Sequence, residues 1–300
     1  MDPIPIICCP RCGNVIGAAP SCGNCSLEVR HSADGVAYDY FALLKAAFPR
    51  RYRLYRVLCN NGFVSYHELA AGSLSLPERG DVAEFGAFLA RHAASGGWVL
   101  DVGCGTLPVP GYLLPLRARG IRLAGLDIYP MSFEGFRIEG CAEFLPLAAG
   151  SMDTLVFATS LDHVCDLSAT LREVARVLRP GGSCCIWMSD RLPYWRQYFL
   201  HGLTWRGMVR RFCLHLPRQM AMNLRNRRPV FYGIRHFFTH GRYWEYENGS
   251  TFYCPPGAVD PFHSFFESPA EIIALARPHG LVLTAREQGR NGVYLNLTRQ

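Results

Sequence analysis

Two groups of residues in this 300-residue chain have types and spacings that could do chemistry. The first is Asp101-Val102-Gly103-Cys104-Gly105, which follows the apolar run Trp98-Val99-Leu100. An apolar run ending in an acid and a Gly-x-Gly turn is how a buried parallel strand presents its end to a nucleotide-like ligand. The glycines let the backbone come close, and the acid can take a hydroxyl or an ammonium group. A plain strand followed by a tight turn would read the same way. Asp127 favours the ligand: it ends the next apolar stretch, Ile121–Leu126, and a carboxylate there can hold both hydroxyls of a ribose. The third glycine of a dinucleotide motif is missing, because Leu107-Pro108 stands where a pyrophosphate would need close backbone approach.

The second group is Cys9-Pro10-Arg11-Cys12 and Cys22-Gly23-Asn24-Cys25, two C-x-x-C pairs, each followed by a small residue, Gly13 or Ser26. Four thiolates at this spacing can surround one tetrahedral Zn²⁺ with no open coordination position. That favours a structural metal, holding together a segment too short to fold alone. The chain has 13 cysteines, and most of the others lie singly in apolar segments as small buried hydrophobes.

These groups need elements to position them. Strand and helix alternate from Trp98 onward: Thr154–Ala158 and Ser183–Met188 read as strands. Asp166 is positioned to cap a helix bearing Leu167, Leu171, Val174 and Leu178, which Arg179-Pro180-Gly181-Gly182 stops. Ser268-Pro269-Ala270-Glu271 is a helix start with capping-box spacing, and Leu281–Ala285 with Val293–Leu297 predicts a hairpin. Such alternation implies an α/β fold with a parallel sheet covered on both faces. Ahead of it, residues 38–60 predict a helical connector broken at Pro49, and Asp81-Val82-Ala83-Glu84 predicts the cap of a further helix.

Composition sets the outer limits. A hydrophobic fraction of 49% with 18% charged residues allows a sizeable core. No run reaches the roughly 18 apolar residues of a spanning helix. The N-terminus lacks the basic region of a secretory signal, so a soluble, cytoplasmic protein is expected. The net charge is +7, and Arg191 to Arg242 contains eleven arginines and no Asp or Glu. Residues 192–216 fit an amphipathic helix, with Trp195, Tyr198, Phe199, Trp205, Val209, Phe212 and Leu216 on one face and arginines largely on the other. An ordinary lid helix, an anion-binding surface and a peripheral membrane contact all fit that pattern. Arg50-Arg51-Tyr52-Arg53-Leu54-Tyr55-Arg56 could track a phosphate backbone, or be a solvated helix face.

With these motifs in order, residues about 98–190 and 265–298 resemble the class I S-adenosylmethionine-dependent methyltransferases, of the methyltransferase type 11-like kind. The resemblance rests on the opening motif, Asp127, Gly140-Cys141-Ala142-Glu143-Phe144-Leu145-Pro146-Leu147, Ser151-Met152-Asp153, and Leu171 through Gly182. It implies a doubly wound, Rossmann-like seven-stranded sheet and S-adenosyl-L-methionine as cofactor. Asp101 and the turn Gly103, Cys104 and Gly105 would face the methionine part. Asp127, followed by Ile128, would hold the ribose, and Cys141, Ala142 and Glu143 would lie beside the adenine. Thr159 would border methionine and substrate. The family often has an acid at the position of Cys141, so backbone or Glu143 must accept the adenine amino group here. The layout is also similar to that of the zinc-ribbon rRNA guanine methyltransferases, and ribbons of this type also precede methyltransferase domains of metabolite and glycan pathways.

The expected organisation is a zinc ribbon (1–37), a helical connector (38–97) and a methyltransferase domain (98–300), with 190–267 as an arginine-rich, largely helical substrate cap. The expected activity is methyl transfer to an anionic small-molecule or glycan-type intermediate. Alternatives are RNA base methylation and a non-catalytic, cofactor-binding scaffold. A proton on the acceptor would need a base, for which Asp162 and His163, after the fourth strand, and His263, before the last helix, are the candidates.

Overall fold

The computed structural model describes residues 6–68, 76–94, 97–128, 132–189, 216–225, 230, 243–245, 251–255, 258, 261–263 and 268–300. It divides into two compact units, Met1–Ser189 with Ser264–Gln300, and Asp190–His263.

The first unit is built on one sheet. Its central strand, β3 (Trp98–Val102), follows two strands near the N-terminus, β1 (Val29–Ser32) and β2 (Gly35–Tyr38). Then come β4 (Arg122–Asp127), β5 (Phe136–Glu139), β6 (Met152–Ala158) and β7 (Leu178–Ser189). Two later strands, here numbered β10 (Leu281–Gly289) and β11 (Gly292–Arg299), close the chain; between them and β7 lie β8 (Tyr243–Glu245) and β9 (Thr251–Tyr253). The order is β1-β2-β5-β4-β3-β6-β7-β11-β10. From β2 to β7 every neighbour is parallel, whereas β11 is antiparallel to β7 and to β10. The seven strands from β5 to β10 form a Rossmann-like sheet with one reversed strand near its edge. The two extra strands come from the cysteine-rich segment, whose hairpin pairs with β5 and covers what would be an exposed edge.

Alternation along β3 sends its side chains to opposite faces. Leu100 and Val102 join the cluster containing Ala124, Ile138, Leu155 and Ile186, covered by α5 (Leu167–Val177). Val99 joins Leu123, Val156 and Trp187 beneath α3 (Gly80–His92), which buries Val82, Phe85, Phe88 and Leu89. The connector contributes α1 (Tyr40–Ala47) and α2 (Pro49–Glu68), split at Pro49. The remaining helices are α4 (Leu114–Ala118), α6 (Leu216–Arg225) and α7 (Pro269–Ala276).

Asp166 caps α5 by accepting from the Ala169 amide at 2.9 Å, and Ser268 with Glu271 forms a complete capping box on α7. The start of α3 differs from expectation. The helix begins at Gly80, so Asp81 lies inside its first turn, bound to the Arg79 guanidinium and the Asn291 amide. Glu84 binds Arg290, and the two acids therefore tie α3 to the β10–β11 turn instead of capping it. Strand β7 also starts earlier than Ser183, because Leu178 already pairs with Met152 and Arg179 holds Asp153 at 2.7 Å.

In the second unit, β8 and β9 form an antiparallel pair, accompanied by α6. The amphipathic helix expected over 192–216 lies outside the described residues, apart from Leu216. Among the described residues no helix is long and apolar enough to cross a membrane.

The capping box predicts that Ser268→Ala lowers stability by about 1 kcal/mol in urea unfolding followed by far-ultraviolet circular dichroism. An unshifted midpoint would mean that α7 does not depend on that cap.

Candidate functional site

The carboxyl ends of β3, β4, β5 and β6 converge where chain order reverses, β4 lying on one side of β3 and β6 on the other. Open α/β sheets bind ligands at such a switch point. Asp101 sits there fully buried. Its Oδ2 accepts from the Tyr112 hydroxyl at 2.9 Å, and its Oδ1 has no hydrogen-bond partner. Burial pushes its pKa up to about 7, the Tyr112 hydrogen bond opposes the rise, and the negative charge of Asp127 adds to it.

The glycine turn is stapled to the end of β4. Gly103 and Cys104 donate their amides to the Leu126 carbonyl at 2.7 and 3.2 Å, and the Gly105 amide reaches Asp127 Oδ2 at 2.9 Å. Gly103 has φ +77°, and a Cβ there would lie 2.5 Å from that of Ser160. Glycine is therefore required at this position on two counts. Beyond the turn, Pro108 accepts from the Glu134 amide at 2.7 Å, and a short 3₁₀ turn, Gly111–Leu113, precedes α4. The helix N-terminus that would cradle a pyrophosphate is thus displaced from the glycines.

Asp127 is largely buried, and the next residue, Ile128, offers its carbonyl to the Tyr40 hydroxyl at 2.6 Å. After β5, Cys141 and Ala142 are buried backbone-forming positions in a tight loop. Glu143 is also buried, and its Oε1 accepts the Cys165 and Asp166 amides at the start of α5. Oε1 thereby holds the helix start, whereas Oε2 is buried without a hydrogen-bond partner. Burial raises the pKa of Glu143, and the backbone amides oppose the rise. After β6, Thr159 has φ +56°, a left-handed conformation that a β-branched residue rarely adopts. Its amide is held by the Trp187 carbonyl at 3.0 Å, and the adjacent Ser160 hydroxyl donates to Val102. Strain at a strand end of this kind is a signature of functional sites.

Asp162 and His163 follow in a 3₁₀ turn, with His163 Nε2 3.8 Å from Asp162 Oδ1. His163 is exposed. His263 belongs to the second unit, where its ring meets that of Phe262 edge-on at 6.4 Å.

The four cysteines Cys9, Cys12, Cys22 and Cys25 bring their sulfurs within 4.8 Å of one another. Each pair forms a knuckle: the Gly13 amide donates to Cys9 O and the Ser26 amide to Cys22 O, both at 2.8 Å. Gly13 and Ser26 have φ +78° and +57°, which explains the small residue after each pair. Soft, convergent thiols at this separation suit a tetrahedral Zn²⁺. Elsewhere, Arg51 is paired with Asp166 and Arg56 lies 4.0 Å over the Phe41 ring, so two arginines of the 50–56 run are engaged within the fold.

Tyr38, Tyr40 and Tyr112 support the site but have no motif around them. Tyr38 and Tyr40 read only as part of the helical connector, and Tyr112 falls in no motif.

Residues 100–186 match the family model described as a methyltransferase domain. The ubiquinone biosynthesis O-methyltransferase of Xanthomonas oryzae pv. oryzae is 30% identical over 118 residues, 35% of this chain and 48% of that protein. The malonyl-[acyl-carrier protein] O-methyltransferase of Dechloromonas aromatica is 38% identical over 92 residues, 28% of this chain and 33% of that one. The chain thus spans about half or less of the curated relatives it matches. Among solved structures, a 1,6-didemethyltoxoflavin-N1-methyltransferase from Burkholderia thailandensis aligns with TM-score 0.46 and 13% identity, over 82% of this chain and 89% of that one. A SAM dependent methyltransferase from Aquifex aeolicus aligns with TM-score 0.46 and 14% identity, over 76% and 96%.

Asp101 gives the site a pH signature. An unfolded aspartate loses its proton near pH 4, whereas in the native chain the proton is held to about pH 7. The native state binds more protons across that window, so this group lowers stability as pH rises from about 4 to about 7. Without ligand, Asp101→Asn should gain melting temperature over the natural protein across the same window and keep a constant advantage above it. A difference that does not vary with pH would contradict the buried carboxyl.

Proposed function

We propose that this chain, which carries a methyltransferase domain at residues 100–186, transfers a methyl group from S-adenosyl-L-methionine to an anionic small-molecule or glycan-type biosynthetic intermediate. One observation carries the cofactor reading: three parts converge at the switch point, two carboxyl acceptors and the glycine turn that lets a ligand come close. They are the half-paired Asp101 carboxyl, the stapled Gly103–Gly105 turn and Asp127. A buried carboxyl with an unpaired oxygen fits a ligand bearing an ammonium group, because a cation there would restore its charged form. Asp127 suits the ribose hydroxyls, with Ile128 beside it. The loop of Cys141, Ala142 and Glu143 suits the adenine edge, with Glu143 Oε2 still without a partner, and Thr159 would border the methionine part and the acceptor.

The cofactor supplies a methyl group on a sulfonium, already activated for in-line displacement. The chain's share is then to align the acceptor, exclude water and take a proton where the acceptor carries one. Asp162, His163 and His263 are the candidates for that last role. The anionic character of the acceptor rests on the eleven arginines without a single acid between Arg191 and Arg242. The engagement of Arg51 and Arg56 within the fold leaves fewer free cations for an RNA backbone. In the N-terminal segment, Cys9, Cys12, Cys22 and Cys25 would hold one structural Zn²⁺.

Calorimetric titration with S-adenosylmethionine should show binding that weakens by roughly 10- to 100-fold in Asp127→Ala, the loss of hydrogen bonds to a charged group. Unchanged affinity would remove Asp127 from the pocket. With labelled cofactor, small carboxylate- or phosphate-bearing acceptors should take up label; labelling of RNA alone would overturn the small-molecule assignment. Metal analysis should find one zinc per chain, lost in Cys9→Ser/Cys12→Ser.

A further inference from the structure

The cysteine-rich segment holds the loop after β5 at three successive points. Ahead of the loop, β2 pairs with β5 in parallel, Val36 opposite Ile138 and Ala37 opposite Glu139. Behind it, Ile7 bridges Leu147, the Cys8 amide donates to Pro146 O at 3.1 Å, and the Ala148 amide donates to Ile6 O at 3.0 Å. In the middle, the buried Tyr38 hydroxyl accepts from the Cys141 amide at 3.2 Å and donates to the Phe144 carbonyl. Gly140 makes this approach available, since a Cβ there would lie 2.6 Å from the Tyr38 hydroxyl oxygen. Two residues on, Tyr40 opens α1 and fixes Ile128, directly after Asp127. The backbone that makes these contacts runs straight into the thiol cluster: Cys9 follows Cys8, and the Ile16 amide returns to Ile7 O at 3.1 Å.

The geometry points to the metal-binding ribbon as the element that sets the adenosine half of the cofactor pocket, with Tyr38 as its principal positioning residue. This deepens the cofactor and zinc assignments above and rests on them. These contacts preorganise the loop. A loop that reads a purine through backbone groups must present its amide and carbonyl in fixed directions. Here the hydroxyl of Tyr38 closes the Cys141–Phe144 turn into a ring of hydrogen bonds. Burial keeps that hydroxyl protonated, so both of its bonds persist at any pH the protein would meet. Folding of the ribbon around its metal fixes the strand that carries Tyr38. Metal occupancy and cofactor affinity are then coupled, and coupling of this sort is reciprocal.

The test is calorimetric titration of the full chain with S-adenosylhomocysteine and with S-inosylhomocysteine, in which the purine amino group is replaced by oxygen. The zinc-loaded natural protein should prefer the adenine ligand. Tyr38→Phe should lose about tenfold in affinity for it while its affinity for the inosine ligand changes little, so selectivity falls. Tyr40→Phe should weaken both ligands alike, because it acts through Ile128 beside the ribose. Zinc-free protein, prepared with chelator and checked for folding by circular dichroism, should lose affinity and selectivity as Tyr38→Phe does. If zinc-free protein unfolds, Tyr38→Phe carries the test alone. Equal loss of both ligands in Tyr38→Phe, or no loss, would overturn the inference and leave the cofactor assignment standing. Failure of the natural protein to bind either nucleoside would instead overturn the cofactor assignment, and this inference with it.

Discussion

A carboxyl group at the centre of a hydrophobic sheet is the constraint around which the rest is arranged. Asp101 has lost all contact with water, and it keeps one hydroxyl partner and one unsatisfied oxygen. Burying such a group costs free energy unless a partner compensates it. The surrounding structure has therefore to be stable enough to hold it. It is: Leu100 and Val102 on one face of β3, and Val99 on the other, belong to two extensive buried clusters. The glycine turn follows from the same geometry, because its amides are spent on Leu126 and Asp127 and so hold the two central strand ends together.

The outer part of the site depends on a different device. Loops at strand ends are the least constrained parts of an α/β sheet. Here one of them is bounded by strand pairing on both sides and closed by a tyrosine hydroxyl. The segment that supplies these contacts is too small to have a core of its own, and it obtains one by adding its hairpin to the main sheet. Val29, Val36 and Tyr38 are buried in the same cluster as Leu126 and Ile138. A short cysteine-rich segment and a large α/β sheet thus solve each other's problem: the first gains a core, and the second loses an exposed edge.

Much of this was legible in the residues. The strand ending at Asp101, the acid ending the next strand, the caps at Asp166 and Ser268 and the two cysteine knuckles all depend on local chemistry, which sequence records directly. What was not legible depends on long-range packing. Glu143 reads as a free acid beside a purine loop, and the structure adds that a helix start from residues 165–166 takes one of its oxygens and leaves Oε2 without a partner. Asp81 reads as a cap, but Arg79 and the distant Asn291 claim it. Tyr38 reads as the first residue of a helical connector, but it ends β2, and its hydroxyl partners lie 103 and 106 positions away. The Arg-rich segment is the converse case: its composition speaks of an anionic partner while giving no residue a defined role.

In the proposed function, the ends of β3, β4 and β5 form a nucleoside-binding wall for a methyl donor. The most direct measurement is a crystal structure of the zinc-loaded chain with S-adenosylhomocysteine. Ribose hydroxyls should lie on the Asp127 carboxylate, the amino-acid end near Asp101 and the Gly103–Gly105 turn, and the adenine edge on the loop held by Tyr38. Ligand bound elsewhere, or an ordered pocket in which Asp127 and Asp101 keep only their present partners, would contradict it.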